Sequence, residues 1–132
     1  MLPADHPLAG RDRVRMRELA DEQFISYREG SRLRELLETA GHEAGFIPQV
    51  KLESNESRRI RRLVARGMGV AILPRSDAEA PGDTVAVLTL TEPALSRDIT
   101  LAWRADRRHA PAAAAFLELA RETFAQPPAA AP

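Results

Sequence analysis

The chain is 132 residues long, enough for one hydrophobic core and short for two complete lobes. Its 19 Lys and Arg balance 19 Asp and Glu, so a formal net charge of zero gives no bulk attraction to nucleic acid or an anionic membrane. The lack of cysteine excludes disulfides, thiolate metal sites and cysteine nucleophiles, and no apolar stretch approaches the roughly 18 residues of a bilayer span.

The opening MLPADHPLAG has no basic-then-apolar leader pattern, and the chain reads as cytoplasmic. Two prolines and a glycine in residues 1–12 predict a connecting loop. A short strand is expected at 13–16. Residues 23–27, rich in Phe, Ile and Tyr and bounded by Asp21-Glu22 and Gly30, form the next strand candidate. A helix follows directly, with Ser31 as its N-cap and Leu33, Leu36, Leu37, Ala40 and Ala44 at helical spacing for burial. Gly45 ends it, Pro48 fixes the start of a strand at 49–53, and Ser54 or Asn55 caps the next helix.

That helix joins without slack to a turn and a buried strand in IRRLVARGMGVAILP, residues 60–74. Ile60, Leu63 and Val64 form its apolar stripe, while Arg58, Arg59, Arg61, Arg62 and Arg66 fill the other face. Gly67 suits the positive φ of a helix end, and the unalternated run Val70, Ala71, Ile72, Leu73 predicts a strand covered on both faces, stopped by Pro74. Strand, helix, strand, helix, strand at this spacing is a βαβαβ unit with a parallel sheet. RSDAEAPGD then reads as a polar loop, and the change in composition at 75–83 marks a boundary. Strands are expected at 84–90 and 99–103, a helix opening at Pro111 with Ala113, Phe116, Leu117, Ala120 and Phe124 on one face, and a disordered Pro/Ala tail at 126–132.

No catalytic constellation stands out. His42-Glu43 lacks the second histidine of a zinc-protease helix, Gly67-x-Gly69-x-x-Ile72 lacks the third glycine of a dinucleotide fingerprint, and no Walker or nucleophile-elbow sequence is present. No metal site and no cofactor are assigned. The arginine helix has no preceding helix and short turn, so it does not read as a DNA recognition helix; a solvated or interface-facing stripe is the plainer reading. The turn Arg28-Glu29-Gly30-Ser31, from strand to helix, offers open N–H groups, a hydroxyl and a guanidinium to a carboxylate. A plain N-cap beside a solvated arginine remains the alternative.

Leu63-Val64-Ala65-Arg66-Gly67-Met68-Gly69-Val70-Ala71-Ile72-Leu73-Pro74 resembles the segment that closes the second lobe of the effector-binding domain in LysR-type transcriptional regulators. Asp5-His6-Pro7-Leu8-Ala9 and Phe24-Ile25-Ser26-Tyr27-Arg28-Glu29-Gly30-Ser31 fit the same family in the right order, over residues 2–124. The resemblance implies an α/β, type 2 periplasmic-binding-protein-like fold. Residues 1–12 become a connecting segment, 13–80 the regulatory lobe II, and 81–125 the returning part of lobe I. It implies a sensor of a small anionic effector, bound between the lobes by Arg28, Gly30, Ser31, Ser54, Asn55 and Gly69, with no catalytic residues. It also implies homo-oligomers, and contact with DNA only through an N-terminal domain outside this sequence. The chain begins inside the family pattern, so weak effector binding and no sequence-specific DNA binding are expected of it alone. Three alternatives stay open. They are an enzyme using Glu29, Glu53 and Asp77, a solute-binding protein on the same scaffold, or a truncated oligomerisation partner of a full-length regulator.

Overall fold

The structure, a computed structural model, describes residues 1–97, 99–104, 106 and 109–124. The chain divides into two compact units, Met1–Arg97 and Asp98–Pro132, whereas composition placed the break at 75–83.

The first unit is organised by β3. Its strand neighbours in the chain are β1 (Leu2–Pro3) and β2 (Arg13–Arg15), and β3 itself covers Gln23–Ser26. α1 (Arg32–Glu43) carries the chain over one face to β4 (Gln49–Glu53), which pairs with β3 in parallel from Gln23↔Gln49 to Ser26↔Glu53. α2 (Ser57–Ala65) then crosses the other face, and the chain returns at 70–73 on the far side of β3. Val70 donates to the Gln23 carbonyl at 2.8 Å and its carbonyl accepts from Ile25 at 2.8 Å. The expected third strand is therefore parallel and correctly placed, but its ladder is a single bridge, Phe24↔Val70. Beyond Val70 its other edge meets residue 1: Ala71 and Met1 exchange two main-chain bonds of 3.0 and 2.7 Å.

Alternation sorts the core into two layers. Phe24 and Val70 face α1 and meet Leu37 and Ala40, with Met16 and Leu19 closing that side. Ile25 and Ala71 face α2 and meet Ile60 and Val64. Burying each such side chain contributes about 1.5–3 kcal/mol before entropy. α1 buries only Leu37 completely among its leucines; Leu33 and Leu36 are half-buried.

Several expected elements differ. The opening residues are not all loop: β1 pairs antiparallel with β5 (Val85–Ala86), because Met1 and Leu2 have an open sheet edge and an apolar layer to fill. The strand at 13–16 ends at Arg15, and Met16–Leu19 forms a 3-10 turn in which Glu18 accepts from the Arg15 N–H at 2.9 Å. Neither Ser54 nor Asn55 caps α2; Glu56 holds the N-cap position, and Ser54 Oγ instead accepts from the Glu56 N–H at 3.1 Å. The polar loop after Pro74 contains a one-turn helix, α3 (Arg75–Ala78), closed by N–H bonds from Asp77 and Ala78 to the Pro74 carbonyl and by an Arg75–Glu79 ion pair of 2.6 Å. The strand at 84–90 is two strands, β5 and β6 (Thr89–Thr91), because they pair with different partners; β6 runs parallel to β2.

In the second unit α4 (Pro111–Phe124) buries Leu117 and Ala120, while Phe116 and Phe124 of the expected apolar face are exposed. Residues 99–103 form no strand among the described residues, since no neighbouring strand supplies ladder bonds. The Arg121 guanidinium lies 5.0 Å from the Trp103 ring centre. The tail at 126–132 lies outside the described residues.

Candidate functional site at the carboxyl edge of the sheet

Order in the parallel strands is β4, β3, then 70–73, with the two crossover helices on opposite faces. The order therefore reverses between β3 and 70–73. In open α/β sheets such a switch point leaves a crevice outside the strands' carboxyl ends, where ligands bind. At that edge the backbone turns at 27–31, at 54–56 and at Pro74.

Five of the six expected site residues lie there. Arg28 is exposed, and its guanidinium has no hydrogen-bond or ion-pair partner among the described residues. Gly30 sits in the turn closed by the Ser31 N–H on the Arg28 carbonyl at 3.2 Å, with φ +77°. Ser31 caps α1, its Oγ accepting from the Arg34 N–H at 3.2 Å, which leaves its hydroxyl proton for another acceptor. The parallel register sets Ser54 beside the end of β3: its N–H donates to the Ser26 carbonyl at 3.0 Å. The Ser54 side chain is buried, and Asn55 next to it is exposed.

Gly69 belongs elsewhere. Val70 pairs with the start of β3, so Gly69 stands at the amino edge of the strands, the opposite end from Arg28 and Ser31. A Cβ there would collide with the Gln23 carbonyl oxygen, at φ +148°. The close approach expected of a ligand is occupied by β3's own backbone. Gly69 therefore does not share the edge that gathers the other five expected residues.

Two groups were missed. Tyr27 OH donates a long, 3.5 Å bond to Asp77 Oδ2, joining β3's end to α3. Burial pushes the Tyr27 phenol up, and the Asp77 carboxylate adds to the effect. Tyr27 was visible as the last residue of an aromatic strand, but only the one-turn helix after Pro74 brings Asp77 to it. Arg34, expected as one helix residue among many, is buried and pinned by Glu38 at 2.7 Å and Glu53 at 2.9 Å. It is neutralised in place and clamps α1 to the end of β4. Glu53 and Asp77 are each engaged in this way, and no group of three His, Asp or Glu placed to hold a metal occurs among the described residues. No helix among them is long and apolar enough to cross a membrane.

The edge thus presents a bare guanidinium, a capped helix start and hydroxyl donors above a three-layer α/β core, the architecture of a periplasmic-binding-protein-like domain. The pattern of the family described as LysR substrate binding domain matches residues 1–125, and the chain belongs to that family. It is 32% identical over 96% of its length to the transcriptional dual regulator GltC of Bacillus subtilis (strain 168), and 30% identical over 88% to the RuBisCO operon transcriptional regulator of Allochromatium vinosum. It spans 42% and 39% of those two proteins. Among solved structures it is similar to the effector-binding domain of QuiR in complex with shikimate, at 29% identity and TM-score 0.79, covering 92% of this chain and 58% of that one. The reduced form of OxyR matches at 27% identity and TM-score 0.67 over 91% of this chain and 55% of that one. The regulatory domain of CcmR from Synechocystis PCC6803, in complex with 2-PG, shares the fold at 24% identity and TM-score 0.76, covering 97% of this chain and 62% of that one.

Proposed function

We propose that this chain is the effector-sensing part of a LysR-type bacterial transcriptional regulator. It binds a small anionic metabolite between two lobes and so controls a DNA-binding half that lies outside these 132 residues. In this reading residues 13–80 are the regulatory lobe II and 81–125 the returning part of lobe I. The regulator is cytoplasmic, oligomeric and not an enzyme.

One observation carries the reading: Arg28 stands unpaired among the described residues at the carboxyl edge, one turn from the open start of α1 and across from Ser54 and Asn55. A carboxylate placed there gains charge-assisted bonds from Arg28, N–H bonds from the helix start and hydroxyl bonds from Ser31. Family membership and the likeness to a domain whose bound ligand, shikimate, is a carboxylate support the same chemistry. Arg34 cannot serve, since two carboxylates already satisfy it.

Isothermal titration of the intact regulator against a panel of small carboxylates tests the assignment. Arg28→Ala is expected to weaken the bound acid by roughly tenfold or more, and Ser31→Ala by a smaller factor. An effector whose affinity neither change touches would sink these site residues.

A further inference from the structure

Among the described residues α2 is the one helix whose charges are all of one sign. The 3-10 turn at 16–19, α1, α3 and α4 each mix acidic and basic side chains, whereas Ser57–Ala65 holds four arginines and no acid. Every exposed position of α2 is an arginine, Arg58, Arg59 and Arg62, and Arg66 at its C-cap extends the row. Arg61 turns away and donates to the Ala78 and Asp83 carbonyls.

The row works against the helix that carries it. Arg58 and Arg62, then Arg62 and Arg66, are like charges four residues apart, and Arg58 and Arg59 stand in the first turn, where the helix dipole favours acids. Two carboxylates reach the row, Glu56 to Arg59 at 3.4 Å and Asp83 to Arg62 at 3.9 Å, while the Arg58 and Arg66 side chains have no partner among the described residues. A locally unfavourable row on an exposed face points to a partner that neutralises it.

We propose that the outer face of α2 docks an acidic, amphipathic helix of a partner protein. Spacing is the first argument: Arg58, Arg62 and Arg66 repeat at about 6 Å along the helix axis, the repeat of carboxylates four residues apart on a second helix. Apolar contact is the second. The turn after α2 brings the Met68 N–H to the Leu63 carbonyl at 3.1 Å, and Met68 is 41% exposed beside half-buried Leu63, so an apolar side chain of the partner finds a seat at the end of the row. The third separates a peptide from nucleic acid. Glu56 and Asp83 stand against the row and repel an unbroken line of phosphates, whereas a peptide places neutral side chains opposite them. This face and the Arg28–Ser31 turn share no residue.

Fluorescence anisotropy with the intact regulator tests this, using a labelled peptide of about 15 residues with Glu at every fourth position and Leu beside it, and its Gln-for-Glu copy as control. The expected result is saturable binding of the Glu peptide that weakens as salt rises, with the Gln copy roughly tenfold weaker. Arg58→Gln combined with Arg66→Gln is expected to weaken the Glu peptide roughly tenfold, and Met68→Gln roughly threefold. Arg13→Gln combined with Arg17→Gln, the same loss of charge at two other exposed positions, stays within about twofold. Arg58→Gln alone, which removes a first-turn cation, is expected to leave the melting temperature equal or raised, and a fall overturns the premise that the row burdens its own helix. Absence of saturable binding, or equal losses in the two double variants, overturns the docking face. If the Arg58→Gln, Arg66→Gln protein loses affinity for a random-sequence DNA duplex and none for the peptide, the row binds phosphate and the peptide proposal fails.

Discussion

Residues 1–97 and the described residues after Asp98 carry comparable apolar patterning, yet they meet different fates. In the first unit Phe24, Ile25, Ile60 and Val64 are fully buried, because a sheet has a helix on each face. In the second, Ile99, Trp103, Phe116 and Phe124 are exposed although their spacing reads as strand and amphipathic helix. Periodicity records which face can be buried. Burial itself requires a second layer, and only the first unit supplies both of its own.

The sharpest break of this comparison is a pair of matched truncations. Phe24→Ala is expected to cost about 3–5 kcal/mol, since it empties the α1-side layer, whereas Phe116→Ala, 57% exposed, stays within about 0.5 kcal/mol. Urea unfolding followed by far-ultraviolet circular dichroism measures both; similar losses would contradict the contrast between the units.

Within the first unit, the two ends of β3 differ in the same instructive way. Gly69→Ala is expected to cost about 2–4 kcal/mol because its new methyl group meets the Gln23 carbonyl. Gly30→Ala, which meets nothing within 4 Å, costs only the positive-φ strain of about 1–2 kcal/mol. Thermal unfolding of the two variants ranks them, and a reversed order would show that the Gln23 backbone yields to the new methyl group.

The smallest expected effect lies at Glu18. The Arg15 backbone N–H, then the Arg15 guanidinium, then Arg11 hold its carboxyl down to about 2 from a usual 4.5. Since the folded value is the lower one, the stabilisation is complete above the unfolded value and is lost as pH falls from 4.5 towards about 2. The melting-temperature gap between the native chain and Glu18→Gln should therefore be constant at neutral pH and close across that window. A gap that persists at the acid end would show that packing, not charge, is what Glu18 contributes.

Local signals made much of this molecule legible. Ser31 before a leucine-rich period, Gly45 and Gly67 after the helices, and Pro74 after an apolar run mark α1, α2 and the returning strand, because caps, positive φ and missing N–H groups act over one turn of chain. The same locality explains the five carboxyl-edge residues: Arg28, Gly30, Ser31, Ser54 and Asn55 lie in the turns that follow β3 and β4. Ser54 was placed correctly, yet it was assigned a cap that Glu56 holds.

What the sequence left unread were particular pairings between distant segments. The pairing of residues 1–3 with 71 and with β5, the splitting of 84–90 between two partner strands, the missing ladder at 99–103, and the Tyr27–Asp77 and Arg34–Glu53 contacts all join segments far apart in sequence. Gly69 is an instance: its sequence neighbourhood fits a ligand contact, and only the parallel register of Val70 on Phe24 puts it at the amino edge of the sheet. Sequence alone determined the βαβαβ order and the chemistry available at the strand ends, because caps, turns and apolar periods are short-range. The tertiary structure decided which ends meet, which arginine is pinned and which is bare, because those follow from layer packing and strand register.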